Sequence, residues 1–292
     1  MRSNLVNLTD TDHRRSFFSK LQYSTKLNKL ELSCSLPQGS DNVGKVTGFA
    51  TTLYVDHIVL TASRCTIPEQ MFSCTSLITL ELKGCNVSPN DLRFPTVRTL
   101  HLEGCSFEFH EENCSSGCLD FSQGCPKLNT LSLVECMFLD RGSLKKLVKV
   151  RALGLEKFRL LHNSNHAGFP SVDFPALKHA VVDACKPNYP QEHRREVCLS
   201  LFTFLQGLHN AEFISLPYSI IQKTLSMVPG ILEYQPSPFR RLKSLTLKLT
   251  PYQKYCHTPA KVDQKHWQIP AEVATYLLSG SPAGSADLLI ES

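Results

Sequence analysis

Three stretches of this chain can be written over one another. SLITLELKGCNV (76–87), TVRTLHLEGCSF (96–107) and KLNTLSLVECMF (127–138) all follow L-x-x-L-x-L-x-x-C-x-φ, with φ apolar. The apolar positions are Leu77, Leu80, Leu82, Cys85 and Val87; then Val97, Leu100, Leu102, Cys105 and Phe107; then Leu128, Leu131, Leu133, Cys136 and Phe138. Such a repeat constrains the fold strongly, because each copy has apolar edges that only neighbouring copies can cover. The template continues through Val150, Leu153, Leu155, Phe158 and Leu160, and through Leu177, Ala180, Val182 and Cys185. Weaker copies start at Leu27 (with Leu30, Leu32), Ala50 (Leu53, Val55, Ile58, Leu60), Ala211 (Ile214, Leu216) and Leu242 (Leu245, Leu247). That makes nine turns, with starts 20 to 34 residues apart.

This is the leucine-rich repeat pattern. Its L-x-L core is a short strand with alternate residues pointing inward. The Cys position lies past the strand, where the chain turns into the core, and a small, weakly polar buried side chain suits it. Cys85, Cys105, Cys136 and Cys185 are therefore read as packing residues. The predicted fold class is α/β, a leucine-rich-repeat solenoid: a curved parallel sheet with short helices and loops on the convex side. FEFHEENCSSGCLDFSQGC (107–125) makes a long convex-side excursion. Val197, Leu201, Phe204, Leu205 and Leu208 recur at helical spacing and predict a helix over about 192–208. SLKKLVKV (143–150) predicts a short helix. IPAEVATYLLSGSP (269–282) predicts a helix that starts near Pro270 and stops at Gly280 and Pro282. SADLLIES predicts a last edge strand. The expected organisation is an N-terminal segment over 1–26, a candidate cap, the repeats over 27–250, and a C-terminal helix and cap over 251–292.

Composition narrows the function classes. The chain has 292 residues, 42% hydrophobic and 20% charged, which is ordinary for a soluble globular protein. Its 31 Lys+Arg and 26 Asp+Glu leave +5, spread along the chain, which signals neither nucleic acid nor membrane. The N-terminal MRSNLVNLTDTDHRR has no apolar signal-peptide core, and no apolar run approaches the roughly 18–20 residues of a membrane span. A cytoplasmic or nuclear location is the expectation. In a reducing compartment the 12 Cys need an explanation other than disulfides, and the repeat supplies one.

FPTVRTLHLEGCSF, CPKLNTLSLVECMF, FPALKHAVVDAC, LQGLHNAEFISLPYSIIQ and LKSLTLKL resemble plant F-box/leucine-rich-repeat proteins, as does the C-terminal IPAEVATYLLSGSP. The resemblance covers residues 25–292. Its FP-x-L-x-x-L and CP-x-L-x-x-L lead-ins are more particular than the repeat itself. It implies the substrate-recognition subunit of a Skp–cullin–F-box ubiquitin ligase, in which the repeats hold the protein to be ubiquitinated. An F-box lies before the repeats and carries an early Leu-Pro. Only 26 residues precede Leu27 here, without a Leu-Pro, so the expectation is that the ligase-docking half is absent. Skp adaptor and cullin are then partners only if an F-box is supplied upstream. The alternative is a free-standing leucine-rich-repeat binding, inhibitor or sensor module with no ligase link.

Motifs for catalysis or cofactors are weak. Gly39-Ser-Asp-Asn-Val-Gly44-Lys45 approaches a P-loop, but Val46 stands where the magnesium-binding hydroxyl belongs, and GFATTLYV after it predicts strand. His110, Cys114, Cys118 and Cys125 offer four nitrogen and sulfur ligands. The C-x3-C spacing is not the usual tight knuckle, and Cys125 opens the next repeat. No His-Glu-x-x-His or Gly-x-Ser-x-Gly occurs, and the 11 His are scattered. The Arg14-Arg15, Arg194-Arg195 and Arg240-Arg241 pairs are too short for a nucleic-acid footprint. Sequons at Asn7, Asn86 and Asn113 are read as chance. The expectation is a non-enzyme with no catalytic residue, metal or cofactor.

The outward strand positions are the candidate binding surface. The middle row is written Glu31, Tyr54, Glu81, His101, Ser132, Gly154, Val181, Ser215, Thr246, and the next Ser33, Asp56, Lys83, Glu103, Val134, Glu156, Asp183, Pro217, Lys248. Nine strands about 4.8 Å apart make a face roughly 40 Å long, suited to a protein or peptide. Acids outnumber lysines in the second row, so the expected partner segment is basic or of mixed charge. Tyr54, Glu81, Lys83, His101 and Glu103 are the candidate partner-binding residues.

Overall fold

The computed structural model describes residues 7–8, 28–34, 54–62, 66–67, 69–89, 92–109, 117–140, 148–162, 168–184, 194–221, 232, 236–248, 271–281 and 287–291. The chain divides into two units, Met1–Leu144 and Lys145–Ser292.

The first unit carries strands β1 (Asn7–Leu8), β2 (Lys29–Cys34), β3 (His57–Ala62), β4 (Thr79–Lys83), β5 (Asn86–Val87), β6 (Thr99–Glu103), β7 (Ser106–Phe109), β8 (Cys118–Asp120), β9 (Thr130–Val134) and β10 (Met137–Asp140). One parallel sheet runs β1-β2-β3-β4-β6-β9, and a second, on the return segments, runs β10-β7-β5. The L-x-L residues stand in register: Leu80 pairs with Leu100 and Leu100 with Leu131, then Leu82 with Leu102 and Leu102 with Leu133. All six are fully buried, while the residues between them are half-exposed. Period-two alternation thus separates a core face from a solvent face.

The end of each strand shows why glycine and cysteine recur there. The chain turns through a left-handed residue, Gly84 (φ 68°), Gly104 (φ 60°) or Glu135 (φ 50°). The amide of Gly84 donates to Glu103 O, and that of Gly104 to Val134 O, both at 2.8 Å. The following Cys then drops into the core. Cys105 Sγ donates to Leu82 O and Cys136 Sγ to Leu102 O, each at 3.4 Å, and Cys85 Sγ donates to Lys83 O at 3.6 Å. A thiol is small enough for this site and satisfies a carbonyl of the preceding strand. The packing role of Cys85, Cys105 and Cys136 is therefore visible; Cys185 lies outside the described residues. Below them Phe107 and Phe138 stack at 5.4 Å.

The second unit carries β11 (Lys149–Arg151), β12 (Lys157–His162), β13 (Ser171–Asp173), β14 (His179–Ala184), β15 (Phe213–Pro217), β16 (Ser244–Lys248) and β17 (Asp287–Glu291), with helices α1 (Arg194–Gly207) and α2 (Ala271–Leu278). Its parallel sheet runs β12-β14-β15-β16-β17, and β11 pairs with β13. α1 buries Val197, Leu201, Phe204, Leu205 and then Leu208 beyond its end, the stripe its spacing predicts. Phe204 lies 5.4 Å from Phe169 and 6.4 Å from Phe158, and Phe158 is 4.8 Å from Phe174. Gly207 lets α1 approach β13: a Cβ there would sit 2.2 Å from Val172 O. α2 places Tyr276 edge-on to Phe202 of α1 at 5.3 Å.

Several expectations change. Two repeats were framed five residues too early. The strand of the second is Ile58–Leu60 rather than Leu53–Val55, and that of the sixth is Phe158–Leu160 rather than Leu153–Leu155. The spacing i, i+3, i+5 can be laid down twice in tandem, with Val55 and Leu155 serving either frame. Leu153, expected inward, is instead 46% exposed in a turn. Lys149 and Val150, expected at the end of a helix over 143–150, begin β11, and 141–147 lie outside the described residues. Tyr54 and Val55, expected as strand, precede it. The return side was expected to hold only helices and loops, yet β5, β7, β10, β11 and β13 are short parallel strands. Leu27, Ala50, Leu53, the Gly39–Lys45 loop, His110 and Cys114 lie outside the described residues.

Candidate interaction surface

On the solvent face of the first unit, three in-register rows cross the sheet. The leading row is Lys29, His57, Thr79, Thr99 and Thr130; the middle row is Glu31, Val59, Glu81, His101 and Ser132; the trailing row is Ser33, Thr61, Lys83, Glu103 and Val134. Parallel in-register pairing sets the same repeat position side by side, so charged residues of successive copies meet directly.

They meet as one connected set. His57 Nε2 lies 2.9 Å from Glu81 Oε1. Lys83 Nζ lies 3.9 Å from Glu81 Oε2 and 3.2 Å from Glu103 Oε2. His101 Nε2 lies 3.6 Å from the same Glu103 oxygen. On β2, Lys29 and Glu31 pair at 2.7 Å. The five side chains of the set keep between 25% and 36% of their surface in solvent. Surface ion pairs of this kind contribute roughly 0–1 kcal/mol each. Their larger consequence is order: every long charged side chain is already held by a neighbour, while its outer surface stays open.

Four of the five sequence-selected residues, Glu81, Lys83, His101 and Glu103, thus stand together. Tyr54 does not stand with them on the strand. It sits in the turn before β3, 70% exposed, with a left-handed φ of 53°, and Val59 holds the row position assigned to it. Asp56 also leaves its row for Thr61; its carbonyl instead accepts from the amides of Ile78 (2.8 Å) and Thr79 (2.9 Å). His57 was missed because it occupies the leading row, one residue before the first inward position. With Asp56 gone, the rows of this unit hold three acids (Glu31, Glu81, Glu103) against two lysines (Lys29, Lys83) and two histidines. The face is a near-balanced, internally paired mosaic rather than an acidic one.

The second unit presents a different face. Gly154 and Glu156, placed in its rows from sequence, precede β12; Arg159 and Leu161 take those positions. Glu156 instead pairs with Lys178 at 2.8 Å in the segments leading into the strands. Glu212 pairs with Lys243 at 2.7 Å, and the ammonium holds the Glu212 carboxyl below its usual range. His179 and Phe213 stack at 4.9 Å in the leading row, and Lys243 Nζ is 6.0 Å from the Phe213 ring centre. Arg159 reaches Asp183 at 3.7 Å.

Among the described residues, no group of three or more His, Cys, Asp or Glu is placed to hold a metal ion. Cys118 is half-buried in β8. Cys125 is buried and donates to Leu92 O at 3.7 Å, and burial pushes its thiol up to about 11. No helix among the described residues is long and apolar enough to cross a membrane.

No family model matches the chain, and no solved structure does. Two Arabidopsis thaliana proteins are similar to it. One, named as an F-box/LRR-repeat protein, is 24% identical over 233 residues, 68% of this chain and 47% of its own length. The other, named as an F-box/FBD/LRR-repeat protein, is 32% identical over 119 residues, 37% of this chain and 27% of its own length. The chain spans about half the length of the first relative and about a quarter of the second.

Proposed function

We propose, from the similarity of this chain to plant F-box/leucine-rich-repeat proteins, that it is a protein-binding scaffold of that type. The proposed architecture is a leucine-rich-repeat solenoid, and the proposed role is that of the substrate-recognition region of a Skp–cullin–F-box ubiquitin ligase. The reading is supported chiefly by the set His57–Glu81–Lys83–Glu103–His101. Association costs roughly 0.5–1.5 kcal/mol for each long side chain immobilised at an interface. Five polar side chains already held by one another lose less on binding. Alternating signs 3 to 4 Å apart favour a peptide segment of mixed charge, whose own cations meet Glu81 and Glu103 and whose carboxylates meet Lys83. The location proposed is cytoplasmic or nuclear.

Affinity purification of the tagged chain from plant extract, read by mass spectrometry, tests the ligase link. Recovery of a Skp adaptor with a cullin would support it, with the docking surface retained in this chain or supplied by another subunit. Recovery of other proteins without either would replace it with a free-standing binding module.

A further inference from the structure

The leading row of the second unit carries two rings where the first unit carries threonines. His179 of β14 and Phe213 of β15 stand in register, as Thr79, Thr99 and Thr130 do on β4, β6 and β9. The residues that follow them, Ala180 and Ile214, are buried, so the two rings turn to solvent. They stack with centroids 4.9 Å apart and planes 9° from parallel, and Phe213 stays 40% exposed. Stacking covers one face of the Phe213 ring. On the other side its in-register neighbour is Ser244 of β16, whose side chain is too short to cover a ring. Lys243 Nζ comes no nearer than 6.0 Å to the ring centre, the outer limit of a cation–π contact, and is held by Glu212 instead. The pair thus ends in an ordered aromatic face with nothing stacked on it among the described residues.

Charge decides what fits that face. Lys178 and Lys243 are 51% and 63% exposed, whereas the glutamates they pair with, Glu156 and Glu212, are 37% and 22% exposed. The ammonium groups therefore stand outermost. Lys243 first, then Arg241 and Lys178, hold the Glu212 carboxyl below its usual range, so three cations gather around one carboxylate beside Phe213. Lys157, in register with His179, is exposed and adds a fourth; Asp287, beyond Ser244, adds one acid. A guanidinium would stack on the ring but meet repulsion from these cations. A phosphate backbone would meet Glu156 and Glu212 along the same row. An aromatic side chain with carboxylates beside it meets the ring and the cations together.

We propose that the stacked His179–Phe213 pair docks an aromatic side chain of a partner protein, carried on a segment with Asp or Glu on either side of it. The partner's ring lies on the open face of Phe213, above Ser244, and its flanking carboxylates meet Lys178 and Lys243. His179 holds the Phe213 ring in place, so little order is lost when the partner's ring arrives, and aromatic anchors of this kind dominate interface energetics. The inference rests on the protein-binding reading above for the class of partner, and on residues of the second unit alone for the site.

Fluorescence anisotropy with the full chain tests this, using labelled Ser-Glu-Glu-Phe-Glu-Glu-Ser, the same peptide with Leu for Phe, and the same peptide with Lys for each Glu. The acidic Phe peptide is expected to bind about fivefold more tightly than its Leu form and about tenfold more tightly than its Lys form. Phe213→Ser should erase the preference for Phe over Leu with the unfolding midpoint unchanged, and Phe213→Tyr, which keeps a ring, should retain it. Lys178→Gln/Lys243→Gln should bring the acidic and basic peptides together. Glu81→Lys/Glu103→Lys should bind the acidic Phe peptide unchanged, which keeps a failure of the first unit's surface distinct from a failure here. Equal affinity for the Phe and Leu peptides, equal affinity for the acidic and basic ones, no binding of any, or preferences unmoved by these variants would overturn the proposal. Tighter binding of a short single-stranded oligonucleotide would overturn it too, as would sedimentation showing a dimer that Phe213→Ser disperses, because the ring would then belong to a second copy.

Discussion

Gly84 and Gly104 occupy the same place in successive repeats, but their surroundings differ. Both have positive φ, which costs an L-residue roughly 1–2 kcal/mol. A Cβ on Gly84 would also lie 2.6 Å from Ala62 O, whereas on Gly104 the nearest atom, Gly84 N, is 4.0 Å away. Gly104→Ala should therefore cost about 1 kcal/mol and Gly84→Ala about 3, the excess being overpacking. Urea unfolding of the two variants measures the difference, and equal costs would remove the close approach from the account. The buried thiols make a second residue-scale prediction. Desolvation raises Cys125 and Cys198 from 9.0 to about 11 and raises Cys136 further. Below pH 9 these thiols are protonated in both folded and unfolded chains, and stability is insensitive to them. From pH 9 to 11 only the unfolded thiols ionise, so each should remove about 1.4 kcal/mol of stability per pH unit. A urea midpoint that stays level from pH 9 to pH 10.5 would contradict that assignment.

At the scale of elements, α1 is held by an aromatic contact and by a close approach. Phe204 is fully buried beside Phe158 and Phe169. Phe204→Ala should destabilise the protein by roughly 3–5 kcal/mol. Hydrogen exchange should show the amides of α1 and β13 losing protection before those of β4, β6 and β9; uniform loss would mean that the helix is not the separable part. This helix was legible in the sequence because its five apolar positions fit a 3.6 period and no other. The strand frames were less so. SLITLELKGC, TVRTLHLEGC and KLNTLSLVEC carry a Cys that fixes where the strand ends, and there the reading and the structure agree. The second and sixth repeats lack that Cys, their apolar residues fit two frames, and only burial chose between them. The strands NV, SFEF, MFLD, KVR and SVD are two to four residues long, too short for alternation to show. Tyr54 was misplaced through that frame error, whereas His57 was overlooked because it lies in the leading row. Glu81, Lys83, His101 and Glu103 came from repeats whose frame was certain.

At the scale of the whole molecule, the repeat turns a local sequence habit into an extended surface. In-register pairing brings side chains from separate copies within 4 Å, so the first unit holds a charged set that no single repeat could build. The role proposed for the chain makes that surface its partner-binding face, and the proposed selectivity, set by the charges, is one that experiment can reverse. The most direct measurement compares proteins captured from plant extract by the native chain and by Glu81→Lys/Glu103→Lys, quantified side by side by mass spectrometry. Both positions are partly solvent-exposed, and circular dichroism should show the fold unchanged. The account predicts that the principal partner falls about tenfold in the variant. An identical set of proteins at identical abundance would contradict it and would move the binding surface elsewhere on the chain.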